Sequence, residues 1–230
     1  MATLLRVDAA RTKRRWAWLA VVPVAVLLGW MWNSSPFNLK DRIFPKHLYE
    51  VYPGFLYRSG QIDARLIEPT LDKLGIDVII DLGGESTSQA HATEREVAQR
   101  KHIEYLAFRL NGNGDGAVDQ YVGAVEAIAH AEQAGHRVLV HCRAGDRRTG
   151  GVIAVYQMLV RGEPTPRALQ ELARYSPGGL EESPTLAYLL QNMGQIADGL
   201  RARGFDVRGT PGNLETRNLA RDAASPTRDE

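Results

Sequence analysis

The sequence predicts an α/β domain with a central, mainly parallel sheet flanked by helices, preceded by an N-terminal transmembrane helix. Three observations lead there. Two short stretches, 76–82 and 136–142, concentrate valine, isoleucine and leucine as strands buried on both faces do. Segments with apolar residues at helical spacing separate and follow those strands. An uncharged run at 16–32 stands directly behind the basic residues Arg6, Arg11, Lys13, Arg14 and Arg15.

The 17-residue run lies at the short end of the ~17–25 residues that cross a bilayer as a helix. Trp16 and Trp18 mark one end and Trp30 and Trp32 the other, where indole rings favour the two membrane interfaces. Residues 1–15 then form a basic cytoplasmic segment, 16–32 an uncleaved anchor and 33–45 a tether. The rest of the chain lies outside, in the periplasm of a Gram-negative cell. A cleaved signal peptide is the alternative, but Trp30-Met31-Trp32 occupies the place of a small-residue cleavage site.

The predicted domain covers 46–204. It opens on a hairpin, 49–52 and 55–58, turned by Pro53-Gly54. A helix at 62–74 carries Ile67, Leu71 and Leu74 and ends at Gly75, with Pro69 set to split or kink it. The strand 76–82 and a loop at 83–87 lead to a mostly exposed helix, 89–101, on which His91 reads as a surface residue. A strand at 102–110 is followed by a flexible loop at 111–116, then by a helix at 119–133 with Val122, Val125, Ile128 and Ala129 on one face. After the strand 136–142 comes a helix, 148–159, with so little polar relief that it must be buried. Thr165-Pro166 and Ser183-Pro184 each read as an N-cap followed by proline, opening two further helices. The tail, 205–230, has the polar composition of a disordered segment.

Composition excludes little beyond a nucleic-acid binder: 44% of the 230 residues are hydrophobic and the formal net charge is +1. The chain has no Gly-x4-Gly-Lys-Ser/Thr loop, no His-Glu-x2-His and no Cys-x2-Cys, so neither a nucleotide site nor a zinc site is expected, and no metal or cofactor is required. A single cysteine leaves no intramolecular disulfide.

That cysteine, Cys142, stands where the strand 136–142 meets the loop to the next helix. Five residues separate it from Arg148, a loop long enough to curl its N–H groups inward beneath a helix N-terminus and cradle a phosphate. A thiol of pKa ~8.5 is drawn toward the thiolate by such dipoles and by a guanidinium. Arg148 supplies a planar fork for two phosphoryl oxygens. The plainer reading is a cysteine that merely ends a core strand.

The run His141-Cys142-x5-Arg148-Thr149 resembles the signature of the cysteine-dependent protein tyrosine and dual-specificity phosphatases, and Tyr57-Arg58-Ser59-Gly60-Gln61 is similar to the small atypical dual-specificity branch. The resemblance implies a dual-specificity-phosphatase-like fold and a phosphocysteine intermediate on Cys142. It also implies phosphate binding by Arg148 and the amides of Arg143, Ala144, Gly145, Asp146 and Arg147, a Thr149 hydroxyl that steadies the departing thiolate, and a His141 that shapes the loop. In that family an aspartate on a mobile loop upstream of the cysteine is the general acid, a function worth ~10²–10⁴-fold. Asp115, flanked by glycines, is the candidate, and Asp119, suited to a helix N-cap, is the alternative. Arg58 either reaches the active loop or is a solvated or core-bridging arginine.

One departure touches the substrate. Many members of the branch carry an acidic residue just before the signature arginine, where this chain has Arg147, with Asp146 one place earlier. Phosphorylated proteins are the expected substrates, with inositol phosphates or phospholipid headgroups as the alternative that Arg143 and Arg147 favour. A phosphate-reading protein without turnover, and a sulfurtransferase pairing Cys142 with Arg147, are the other readings.

Overall fold

The computed structural model describes residues 22–24, 26, 29–30, 39–84, 88–175, 179–180 and 182–208. The chain divides into two units, 1–44 and 45–230. In the first, the described positions between 22 and 30 are helical, and a short helix α1 (Leu39–Ile43) forms within the stretch read as a tether. Most of the expected anchor, 16–32, lies outside the described residues; among the described residues, no helix is long and apolar enough to cross a membrane.

The second unit is built on a five-stranded sheet in the order β1-β2-β5-β3-β4. Its strands are β1 (Tyr49–Tyr52), β2 (Leu56–Ser59), β3 (Val78–Asp81), β4 (Glu104–Ala107) and β5 (Val138–His141). Only β1 runs antiparallel, as the outer half of the expected hairpin; β2, β5, β3 and β4 pair in parallel. Alternate side chains feed opposite cores, as the two-residue period of a strand requires. Leu56, Val78, Ile80, Val138 and Val140 join the larger cluster, under α4 (Val118–Ala134), α5 (Arg147–Leu159), α6 (Thr165–Ala173) and α7 (Pro184–Ala202). Tyr57, Ile79 and Leu139 join the smaller one, with Ile67 and Leu71 of α2 (Ile67–Leu74) and Val97 and Ala98 of α3 (Gln89–Arg100). Each fully buried Val, Leu or Ile on these two-sided strands contributes about 1.5–3 kcal/mol.

Register places the site. Ser59, His141 and Asp81 are aligned across β2, β5 and β3, so the three strands end level and their following loops open at one edge. Ligands of open α/β sheets bind at this carboxyl edge.

Several boundaries differ from expectation for physical reasons. Helix α2 starts at Ile67, not 62, which puts Pro69 in its first turn, where a missing N–H costs nothing. Helix α6 begins at Thr165 itself, with Pro164 at the cap position and Pro166 second, so Thr165 is no N-cap. Ser183 does cap α7, accepting from the Leu186 N–H at 3.4 Å. Asp119 is not a cap either: Ala117 holds that position, while Asp119 sits exposed in the first turn of α4 and pairs with Arg203. The packed chain also continues past 204, since Phe205 and Val207 pack on the larger cluster and the Arg208 N–H donates to the Leu159 carbonyl at 2.9 Å. The rest of the predicted tail lies outside the described residues.

Helix α5 is buried from Thr149 to Leu159, as its composition demands. A Cβ on Gly150 would lie 3.0 Å from the Glu171 carbonyl oxygen, so that glycine is what lets α6 press against the start of α5.

Candidate active site

The loop after β5 takes its shape from three donors. Its successive carbonyls, those of Arg143, Ala144 and Gly145, are all engaged from outside. The Gln61 N–H bonds the first at 3.1 Å, the His47 Nδ1 the second at 2.9 Å and the Arg58 Nη2 the third at 2.7 Å. In a trans peptide the N–H points opposite to the C=O, so turning three carbonyls outward turns the N–H groups of Ala144, Gly145 and Asp146 inward. The Gly145 N–H accordingly donates to the Cys142 Sγ at 3.2 Å. Helix α5 starts at Arg147 and adds the unpaired N–H groups of its first turn to the same concavity.

Gly145 cannot be another residue without movement. Its φ of +81° is left-handed, and a Cβ there would fall 2.5 Å from the Gly60 nitrogen. The loop and the exit of β2 thus touch backbone to backbone.

Cys142 is 2% exposed. Burial pushes the thiol pKa up, but the Thr149 hydroxyl, the Arg148 guanidinium and the N–H groups of Gly145 and Thr149 outweigh it and hold the thiol below its ordinary value. The charge of Arg148, five residues beyond the cysteine, is thus one of the groups that favour the thiolate. Arg148 Nη1 also lies 3.5 Å from the carbonyls of Leu82 and Leu110, spanning the loops after β3 and β4. Arg143 is exposed and Arg147 half-buried at the rim.

The loop holding Asp115 is braced rather than flexible. Leu110 and Gly116 form an antiparallel bridge, and the Asn111 N–H donates to the Asp115 carbonyl at 2.8 Å. Thr185 Oγ1 donates to the Asn113 carbonyl at 2.8 Å, Tyr188 OH to that of Gly116 at 2.7 Å, and Tyr121 OH to that of Gly114. The Asp115 carboxylate accepts from the side-chain amides of Asn111 and Asn113, each at 2.6 Å. Burial raises the Tyr121 pKa, and the charges of Tyr188, Asp115 and Cys142 add to the rise. Asp119 instead points to Arg203.

Beneath the cysteine loop lies a buried polar cluster. His141 Nε2 is 3.2 Å from Glu94 Oε2, and His91 Nε2 is 3.3 Å from Asp81 Oδ2. Gln61 donates to Glu94 at 3.3 Å, and Tyr105 to Asp81 at 2.9 Å. Burial alone would lower the His141 pKa; the carboxylates of Glu94 and Asp81 and the Cys142 sulfur outweigh it and push it up to about 9. His91, expected on the surface, is 5% exposed. The signal was in the spacing, because His91, Glu94, Val97 and Ala98 share the buried stripe of α3.

Arg58, whose place the sequence left open, is both core-bridging and loop-binding. Its Nη1 donates to the Glu171 carbonyl and to Glu171 Oε2, at 2.8 and 2.7 Å, while Nη2 holds Gly145. His47, Glu171 and Tyr175 had no signal in the sequence, since their contacts with the loop region cross from distant segments.

Comparison with known proteins follows this geometry. The curated dual specificity protein phosphatase PHS1 of Arabidopsis thaliana is 30% identical over 105 residues, 45% of this chain and 11% of that protein. The chain thus spans about a tenth of the length of that relative. The crystal structure of P. aeruginosa TpbA shares the fold at a TM-score of 0.52 and 23% identity, over 68% of this chain and 89% of that one. That of PTPMT1 does so at 0.55 and 15% identity, over 68% and 97%. The family model described as "Dual specificity phosphatase, catalytic domain" matches residues 56–194. With well over half of its length so matched, and with a lone ionisable thiol above an inward-facing amide loop, the chain belongs to the dual specificity phosphatases, a family of cysteine-dependent phosphatases.

Proposed function

We propose that this chain hydrolyses phosphate monoesters in two steps through a phosphocysteine on Cys142. The observation that carries the reading is the outward turn of three consecutive carbonyls, which leaves inward N–H groups converging where the sulfur sits. The Cys142 thiolate attacks phosphorus; an S–P bond forms as the P–O ester bond breaks, and Asp115 gives its proton to the leaving oxygen. Water then attacks the phosphocysteine, Asp115 takes the water's proton, the S–P bond breaks and inorganic phosphate leaves. Arg148 and the amides of residues 143–148 bind the phosphoryl oxygens throughout, and their fixed dipoles favour the charge that spreads over those oxygens in the transition state.

The substrate we propose is a phosphorylated protein. The exposed Arg143 and the rim position of Arg147 favour a second reading, a polyanionic inositol phosphate or phospholipid headgroup. A protein of the same fold, PTPMT1, has been crystallised with PI(5)P. We further propose that residues 16–32 anchor the chain, with the catalytic unit on the outer side of the membrane; the basic flank and paired tryptophans support this. Protease added to spheroplasts should then digest the catalytic unit, and full protection would refute the outward placement.

The test of the function is release of p-nitrophenol from p-nitrophenyl phosphate by the full chain without added metal. Turnover that Cys142→Ser abolishes is expected. Turnover that survives the substitution excludes Cys142 as nucleophile, and binding of phosphate without any turnover identifies a phosphate-reading protein.

A further inference from the structure

We propose that Tyr175 is a positioning residue of the cysteine loop, acting through the two side chains that hold the loop's second and third carbonyls. This rests on the phosphate-binding role of the loop given above. The His47 ring stacks on the Tyr175 ring with centroids 4.2 Å apart and an interplanar angle of 13°. The Arg58 guanidinium carbon lies over the same ring, 4.9 Å from its centroid. One aromatic side chain, two residues beyond the end of α6, therefore packs against both the donor to Ala144 and the donor to Gly145.

The two donors need this support unequally. Arg58 is fully buried and pinned by Glu171 through both a carboxylate oxygen and a carbonyl. His47 is half-buried, and its backbone holds the left-handed φ of +48°, which a non-glycine residue keeps only where its surroundings over-determine it. Besides the bond to the loop carbonyl, its ring interactions among the described residues are the stack on Tyr175 and the approach to the Asp146 carboxylate at 3.9 Å. Without the aromatic ring, His47 is free to leave and the Ala144 carbonyl to swing inward, which would aim a negative dipole at a bound phosphate and withdraw the Gly145 N–H. Tyr175 touches neither sulfur nor substrate in this account. Its effect is on the direction of two peptide planes.

The test compares Tyr175→Leu, Tyr175→Phe and His47→Ala with the parent full chain. Three quantities are read: affinity for inorganic phosphate by calorimetry, kcat and KM with p-nitrophenyl phosphate, and the thermal midpoint. Tyr175→Leu should lose about tenfold or more in phosphate affinity and in kcat/KM, within the ~10²-fold that an ångström of misplacement costs. Tyr175→Phe, which keeps the ring, should match the parent. If Tyr175→Leu fails to fold, His47→Ala at the half-buried donor carries the test, with the same loss expected. A folded Tyr175→Leu or His47→Ala that binds phosphate like the parent overturns the proposal. A parent that binds phosphate without turnover refutes the hydrolase reading alone, because the binding measurement still decides the brace. A parent that does neither removes both.

Discussion

Two loops at the carboxyl edge of the sheet, the cysteine loop and the acid loop proposed around Asp115, are shaped in opposite ways. The cysteine loop is held from far away in sequence: Arg58 reaches Gly145 across 87 residues and His47 reaches Ala144 across 97. The acid loop closes largely on itself, with Asn113 and Asn111 bonding Asp115 from two and four residues away, and is then pinned to α7 by Thr185 and Tyr188. The contrast separates chemistry from orientation. A short motif names the reacting atoms, but which way the peptide planes face depends on where β2, α6 and the segment before β1 are packed.

The comparison is sharpened most by Gly145→Ala. A methyl group at φ +81°, 2.5 Å from the Gly60 nitrogen, must lift the apex of the cysteine loop off β2. Steady-state kinetics should show kcat/KM down by about 10²-fold or more; parent-like kinetics would mean that the loop is held less tightly than its contacts state. Asp115→Asn comes next. It should lower kcat by about 10²–10⁴-fold and remove the basic limb of the pH–rate profile, and an unchanged profile would take the proton-donor role away from Asp115.

The buried cluster predicts a dependence of stability on pH. His141, raised from 6.5 to about 9 in the folded chain, stabilises the fold fully below pH 6.5, and that contribution is lost as pH rises through about 9. Thermal unfolding of the parent should therefore shift downward over that window. Glu94→Gln, which removes the partner carboxylate, should cost a few kcal/mol at pH 6 and flatten the slope between pH 6.5 and 9. A slope identical to the parent's would show that His141 does not hold a proton there. The smallest effect belongs to the acid loop's brace: Thr185→Val removes the bond to the Asn113 carbonyl, at about 0.5–1.5 kcal/mol, and should lower kcat several-fold while leaving phosphate affinity unchanged.

Much of this was legible in the sequence, for reasons that differ by region. The buried strands and helix α5 announce themselves because a segment covered on both faces has no choice but to be apolar, and the Cys142 to Arg148 spacing is a local property of one loop. Pro69 suggested a split or kink in a helix running from 62, whereas the helix starts only at Ile67 and the proline falls in its first turn. What escaped was set by tertiary contact. Glycines on both sides of Asp115 suggested mobility, whereas Gly114 is there because a Cβ would lie 2.1 Å from the Thr185 hydroxyl oxygen. Asp119 looked like a cap and is instead drawn to Arg203 at the far end of α7. His91 looked like a surface residue because its helix is charged, yet it lies on the stripe that faces Asp81. The pairing of His47 and Arg58 through Tyr175 leaves no periodic trace at all.

The most direct measurement is rapid quenching of the enzyme during turnover of a ³²P-labelled phosphoester, followed by digestion and mapping of the label. Phosphorus bonded to the sulfur of Cys142, formed and discharged fast enough to account for turnover, is the predicted result. Turnover with no label on that sulfur, or with the label on another residue, would contradict it.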